Sequence, residues 1–291
     1  MKKFLFHIFK IITIILLLAV VLDCIYTYFY LHTNKRNKFV YVYNSGQRKY
    51  DVIFLGSSRA NNHFDPKIFQ EKGLKAFNYG VSGACLEESC LLLKLMIKKK
   101  YSIKNIVLEV DLNINSNSYS DGTRARFMPY LHNSNIINEY YSTIDNYKSL
   151  YYIPFYRYTK YDAKIGFREM FFSAIDKKST DIEDFGFYKL TNQGRNMSSD
   201  LNKYKPKRNI SYEEIKLICK ENNIKLIAIT TPICKNTLNL DYFKQVTKLY
   251  PEIYNYENSI KKDKYFSSCG HMNVAGAQLF TSIILNDFFI K

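Results

Sequence analysis

The sequence predicts an α/β fold: a doubly wound, three-layer domain on a mainly parallel sheet, preceded by a membrane-spanning helix and interrupted by a helical insertion. Three observations predict it. Short apolar runs bounded by Gly, Pro, Asn or Asp recur along the chain, stretches of helical periodicity separate them, and one long apolar run stands near the N-terminus. Strands that read as continuous apolar runs are buried on both faces, as parallel strands are, and strand–helix alternation is how a chain builds such a sheet.

Residues 1–10 form a short tail carrying Lys2, Lys3 and Lys10. Residues 11–31, IITIILLLAVVLDCIYTYFYL, supply the ~20 apolar residues that a helix needs to cross a bilayer, with Asp23 their only charge. Tyr26, Tyr28, Phe29 and Tyr30 cluster at the far end of the run, where amphipathic rings favour the interface. No small-x-small cleavage site follows, so the segment reads as an uncleaved anchor and not as a signal peptide. A charged Asp23 directly before Cys24 does not suit a lipid-attachment site. Lys35, Arg36 and Lys38 nearly balance the positive charges ahead of the helix, so flanking charge does not fix its orientation.

Residues 32–50 are polar and basic and read as a linker. The domain, 51–291, then offers strands at Tyr50–Gly56, Lys75–Gly80, Asn105–Asp111 and Lys225–Pro232. Helices are expected over Leu86–Lys99, Tyr212–Asn222 and Val274–Phe289, where apolar residues repeat at helical spacing. Between about 114 and 206 the rhythm breaks into a Tyr-, Asn- and Lys-rich stretch, densest at YYIPFYRYTKY (Tyr151–Tyr161), read as a helical insertion that caps or flanks the sheet. Its rings could grip a polymer or lie on a membrane surface; the plainer expectation is that they pack on the sheet.

Lys+Arg outnumber Asp+Glu by 42 to 26 in 291 residues, a net charge of +16, nearly all of it beyond the anchor. With 47% hydrophobic residues the chain is neither disordered nor fibrous. No zinc-finger spacing, aromatic RNA-binding motif or clustered basic helix accompanies the charge, so nucleic acid is not an expected partner. Six cysteines, one inside the anchor, do not make a dense disulfide framework, and no CxxC or HExxH spacing supports a metal site.

Chemistry is expected at two places. The first strand ends in Gly56-Ser57-Ser58-Arg59, which sets hydroxyls at the C-terminal edge of a parallel sheet, where open α/β folds bind ligands. YFSSCGHMNVAGA (Tyr265–Ala277) sets His271 before the last helix. Each residue also has a plainer role. Ser57 and Ser58 suit a helix cap, His271 a cap or a polar gap, His63 and Asp65 a turn ending at Pro66, and Asp111 a loop cap. Arg59 is equally suited to an anionic ligand or a surface salt bridge.

Taken together these blocks resemble the SGNH (GDSL-type) hydrolase family, over roughly Asp51 to the C-terminus with the insertion unmatched. Gly56-Ser57-Ser58 resembles its Gly-Asp-Ser block and implies Ser58 as nucleophile. NYGVSGA resembles its second block and implies the Gly83 N–H as an oxyanion donor. Asp111-Leu112-Asn113-Ile114 resembles its Gly-x-Asn-Asp block, without the Gly and final Asp, and implies Asn113 as a side-chain donor. Ser268-Cys269-Gly270-His271-Met272-Asn273 resembles its Asp-x-x-His block, with Ser268 where the family has Asp. The resemblance implies a flavodoxin-like sheet, a serine esterase or O-acyltransferase needing no cofactor, and no metal. The anchor, with GSSR, TTP and HMNxxGA, is similar to the membrane-anchored branch whose members help D-alanylate teichoic acids or partner membrane-bound O-acyltransferases. The implied partners are therefore the lipid bilayer, an envelope polysaccharide or teichoic-type polymer, and a membrane-bound O-acyltransferase, with the domain outside the cytoplasmic membrane. Without the Asp, three possibilities stand open: a slow Ser-His dyad, a substitute such as Asp111 or Asp263, or an impaired site that only binds.

Overall fold

The computed structural model describes residues 1–115 and 120–290; residues 116–119 of the expected insertion lie outside the described residues. The chain divides into two compact units, Met1–Ser45 with Arg124–Lys178, and Gly46–Thr123 with Ser179–Lys291.

The second unit carries the sheet. Its strands are β1 (Lys49–Leu55), β2 (Ala76–Asn78), β3 (Ser102–Glu109), β4 (Ser199–Asp200), β5 (Lys225–Thr230), β6 (Thr237–Leu238), β7 (Tyr254–Asn255), β8 (Phe266–Ser268) and β9 (His271–Met272). Five of them make one sheet in the order β2-β1-β3-β5-β7, parallel at every pairing, with Val52 opposite Ala76, Ile53 opposite Ile106 and Val107 opposite Ile227. This is the flavodoxin-like order, in which β1 and β3 flank the point where the winding reverses. Val52, Ile53, Phe54 and Leu55 are fully buried, as are Ile106, Val107 and Leu108, which is why these strands read as unbroken apolar runs. The helices Leu86–Lys98 and Ile210–Glu221 pack together, and Val274–Phe288 packs on the short helices Ser58–His63 and Lys67–Gln70.

The expected strands and helices occur within a few residues of their predicted bounds. Beyond them, β4 and β6 form a separate parallel pair. The edge strand β7 is two residues long, and β8 and β9 form a small antiparallel hairpin just before the last helix.

The first unit differs from expectation in three ways. The N-terminal helix runs from Lys2 to His32, longer than 11–31. The expected linker contains a helix, Lys38–Tyr43, whose N-cap Asn37 accepts from the Phe39 and Val40 amides at 3.0 Å, while Phe39, Val40 and Val42 are buried. The apolar run FVYV inside a basic stretch drives that folding. Third, residues 124–178 of the insertion belong with Met1–Ser45, and their rings pack on the N-terminal helix instead of the sheet. Tyr26 meets Phe155 at 4.9 Å and Tyr158 at 5.0 Å, and Tyr30 stacks on Tyr158 at 6.0 Å.

Asp23, the lone charge in the apolar run, has a counter-ion. Arg157 Nη2 donates to Asp23 Oδ1 at 2.7 Å and to Thr27 Oγ1 at 3.0 Å, and the Arg157 side chain is 1% exposed. Removing one member of so enclosed a pair leaves the other charge desolvated, so Arg157→Leu is expected to destabilise the first unit by about 3–5 kcal/mol. Limited proteolysis of the full-length protein should show earlier cleavage within 124–178, with the second unit's fragments unaffected.

Candidate active site

Ser58 is where β1 ends and a helix begins. Gly56 makes the turn at φ +137°, and a Cβ there would come within 2.9 Å of Glu109 Cβ, so glycine is required both conformationally and sterically. Ser57 is the N-cap, its hydroxyl accepting from the Arg59 amide at 3.2 Å. Both its amide (2.8 Å) and its hydroxyl (2.6 Å) donate to Glu109 Oε2 at the end of β3. Ser58, the first helical residue, is thereby held with its side chain half-exposed.

From the opposite end of the chain the β8–β9 hairpin brings His271. Its Nε2 lies 2.8 Å from Ser58 Oγ and its Nδ1 lies 3.0 Å from Ser268 Oγ. A hydroxyl both donates and accepts, so either neutral tautomer satisfies both bonds; in one of them Nδ1–H donates to Ser268 and Nε2 accepts from the Ser58 hydroxyl. Partial burial and the Arg59 charge hold the His271 pKa below its ordinary value, so the ring is neutral near pH 7 and, in that tautomer, its Nε2 lone pair is available.

A second, buried histidine supports the first. His63 is fully enclosed at the end of the Ser58 helix, not in a turn, with its ring 6.4 Å from that of His271. Its Nε2 accepts from the Met272 amide at 3.1 Å, so its Nδ1 carries the hydrogen toward Thr231 Oγ1, 2.9 Å away. Thr231 donates its hydroxyl to Asp111 Oδ2 at 2.7 Å and its amide to Asp111 Oδ1 at 2.6 Å. Burial, with the charge of Arg59, pushes the His63 pKa well below the usual range, in keeping with a ring that accepts at Nε2. Arg59 closes the network. Its Nε lies 2.5 Å from Asp111 Oδ2, and its Nη2 donates to the carbonyls of Thr231 at 3.0 Å and Pro232 at 2.8 Å. Burial raises the pKa of both Glu109 and Asp111. The Asp111 charge adds to the rise at Glu109, while Arg59 and the Thr231 donors oppose the rise at Asp111.

Ser58, His271 and Ser268 therefore lie on one hydrogen-bonded line. Gly83, at φ +81°, sits on the loop after β2, and neighbouring bonds hold that loop against the Ser58 turn: Val81 N to the Gly56 carbonyl at 3.0 Å, and Asn61 Nδ2 to Ser82 Oγ at 3.1 Å. Asn113 lies on the 3-10 turn Asp111–Asn115 after β3, its carbonyl accepting from Asn209 Nδ2 at 3.3 Å.

Three of the candidate residues have other partners. Asp111 is fully buried and spends its carboxylate on Thr231 and Arg59, not on His271. Asp263 pairs with Lys235 at 3.3 Å. Arg59 is 5% exposed and turned into the network, so its salt bridge, with Asp111, is a buried one and not a surface one. Sequence reasoning misses the roles of Glu109, His63 and Thr231. A signal for Glu109 exists in the carboxylate inside the apolar run IVLEV, since a charge between buried strand positions must be serving a donor.

One disulfide, Cys234–Cys269, joins the loop after β5 to the β8–β9 turn, and the Cys234 amide donates to the Cys269 carbonyl at 3.0 Å. The cross-link thus sits between Ser268 and His271 in sequence and fixes their hairpin to the sheet's C-terminal end.

No family profile matches the chain, and no curated protein matches it. Among solved structures, a Bacteroides fragilis protein provisionally described as an acylhydrolase is 13% identical, with 82% of this chain and 85% of that one covered and a TM-score of 0.36. A Streptococcus pneumonia protein provisionally described as a platelet activating factor is 12% identical, with 97% and 98% covered and the same TM-score of 0.36. Similarity at this level says nothing of activity, which has to be argued from the residues.

Among the described residues one group of possible metal ligands converges: Cys85, Glu87 and Glu88, their ligand atoms within 4.8 Å of one another. Glu88 already accepts from the amides of Cys85 at 2.7 Å and Ser120 at 2.8 Å, which makes the group first of all a helix cap. Glu87 is 6% exposed, neither of its carboxylate oxygens has a hydrogen-bond partner among the described residues, and burial pushes its pKa up to about 7. The folded state therefore holds a proton that the unfolded chain, with its ordinary value of 4.5, releases. Stability should fall as pH rises through that window. Glu87→Gln is expected to flatten the fall by on the order of 2 kcal/mol between about pH 5 and 8, read from urea unfolding of the detergent-solubilised protein at both pH values.

Proposed function

We propose that the chain is a membrane-anchored, SGNH-like serine esterase or O-acyltransferase acting on cell-envelope polysaccharide or a related polymer. The observation that carries this reading is the Ser58–His271–Ser268 line, because a serine hydroxyl within hydrogen-bond reach of a neutral, oriented imidazole is the constellation that acyl transfer needs.

In the first half-reaction Ser58 Oγ attacks an ester or thioester carbonyl while His271 Nε2 takes the hydroxyl proton. The tetrahedral oxyanion is held by the N–H groups of Ser58 and Gly83 and the Asn113 amide. As the carbon–oxygen or carbon–sulfur bond breaks, His271 returns the proton to the leaving group and an acyl-Ser58 remains. Water, or a polymer hydroxyl, then attacks that acyl group with His271 again as base, and Ser58 is released. His271 Nδ1 faces a hydroxyl where a triad would set a carboxylate. Ser268 accepts a hydrogen bond but supplies no charge to stabilise imidazolium, and Arg59 disfavours it. Turnover is accordingly slow.

The disulfide supports a domain outside the cytoplasm, since such bonds persist in oxidising compartments. The exposed apolar helix Lys2–His32 supports a single-pass anchor, with the bilayer as its partner. An envelope polymer and a membrane-bound O-acyltransferase are proposed partners on the strength of the family resemblance.

The uncharged Ser268 favours a second reading, in which the domain is a non-catalytic accessory protein that binds beside an acyltransferase. A serine-reactive fluorophosphonate separates the two. Full-length protein in detergent should be labelled, and Ser58→Ala should abolish labelling; absence of labelling, or its survival in Ser58→Ala, would leave only the binding reading. A carboxylate at the orienting position should also raise activity. Ser268→Asp is expected to increase kcat for an activated acetyl ester at least about tenfold, a modest part of the ~10⁴-fold that a serine protease loses with its orienting Asp. An unchanged or lower rate in Ser268→Asp would show that His271 is not the base.

A further inference from the structure

The aromatic stretch of the insertion is not used by the proposed chemistry, and its placement on the N-terminal helix gives it another use. The helix has 31 residues, about 46 Å of length at 1.5 Å per residue, whereas the hydrocarbon core of a bilayer is about 30 Å thick. Roughly ten residues are therefore in excess. Phe4 through Leu22 present exposed apolar side chains (Phe9 68%, Leu17 60%, Val21 53%), and Tyr26 is the first buried residue. Asp23–His32 is also the stretch on which the first unit packs.

At the level of Asp23 the insertion turns through Ile153, Pro154 and Phe155, between the short helices Tyr147–Tyr152 and Tyr156–Lys160. The Phe155 amide donates to Asp23 Oδ2 at 2.8 Å and Arg157 donates to Oδ1. Arg157 further approaches His132 Nδ1 at 3.4 Å, and His132 Nε2 donates to the Tyr151 carbonyl at 2.8 Å. Phe155 is held at φ +66°, a left-handed conformation that a bulky residue adopts only where its surroundings over-determine it. The turn so fixed exposes its apolar side chains: Tyr152 is 72% and Ile153 51% exposed, with the Tyr151 and Tyr152 rings 4.9 Å apart.

We propose that the bilayer ends near Asp23 and that the Tyr151–Phe155 turn lies in the lipid interface, a second membrane contact beside the helix. Irregular backbone and the Asp23–Arg157 pair do not belong in hydrocarbon, which excludes a span reaching Leu31. Tyrosine with one apolar flank and one polar tip belongs at the headgroup boundary, and about 20 residues back from Asp23 the span reaches Lys2 and Lys3, whose ammonium groups meet the opposite surface. The partner is thus a phospholipid surface, met along an interface that continues the helix. The inference rests on reading the helix as an anchor, which is checked separately by whether the protein resists alkaline carbonate extraction from vesicles.

The chain has no tryptophan, so a single substitution gives a site-specific probe. Full-length Tyr152→Trp, reconstituted in phosphatidylcholine vesicles carrying bromines at defined acyl depths, should lose most of its emission to the shallowest bromines. It should lose less to deep ones and resist aqueous acrylamide. Ile153→Trp, also exposed on the same turn, should behave alike. Phe167→Trp should be quenched less by lipid, because its helix is tied to Arg36, beyond the helix end, through the Arg36–Glu169 pair at 2.8 Å. Free access of acrylamide to both turn probes, without lipid quenching, would overturn the interfacial contact. Strongest quenching by the deepest bromines would overturn the boundary at Asp23.

Discussion

Everything at the candidate site hangs from the buried ion pair between Arg59 and Asp111. Arg59 belongs to the helix that carries Ser58, Asp111 follows β3, and Thr231, which both of them bind, follows β5. One guanidinium and one carboxylate thus tie together the C-terminal ends of three parallel strands, at the point where the sheet's winding reverses. His63 extends the tie to the backbone of Met272, beside the base. A desolvated pair is weak evidence for stability as such, because removing two ions from water costs several kcal/mol each. Its value here is geometric, since every donor and acceptor in the network has one arrangement that satisfies all of them.

His271, the proposed base, is held without a carboxylate. In a serine triad the acid fixes the imidazole tautomer and stabilises its charged form. Here Ser268 and the hairpin hold the ring in place, a hydroxyl being able to serve either tautomer, while the charge felt at the ring, that of Arg59, works against imidazolium. Glu109 and Gly56 place Ser58, the proposed nucleophile, whereas His271, the proposed base, faces a hydroxyl in place of a carboxylate. Such a site suits either slow chemistry or selective binding of an acyl group, depending on how strongly the oxyanion donors compensate.

Much of this was legible in the sequence, for physical reasons. A doubly buried strand must be apolar throughout, so β1, β3 and β5 announced themselves, and Ser58 and His271 stood at strand and helix ends where only chemistry or capping would put them. β7 was not legible because two residues carry no periodicity. Asp111 was ambiguous because its partner, Arg59, is distant in sequence, and a buried ion pair leaves no local pattern. His63 looked like a turn residue beside Asp65 and Pro66, although the helix starting at Ser58 runs through it. The apolar run FVYV was hidden in the basic composition of 32–50. The anchor's length in apolar residues was clear, but which of its turns would be claimed by the folded protein depended on Asp23 finding Arg157, a pairing across 134 positions.

Ser58 and His271 are themselves 213 residues apart. A contact of that span closes only when the final strand hairpin has docked, and the loop-closure entropy is met last. The Ser58 turn and the Glu109 that holds it are complete in the chain long before His271 is. Under the proposed function, a chain cut short between Glu109 and His271 would keep the residues that hold the Ser58 turn but lack the base that acts on it.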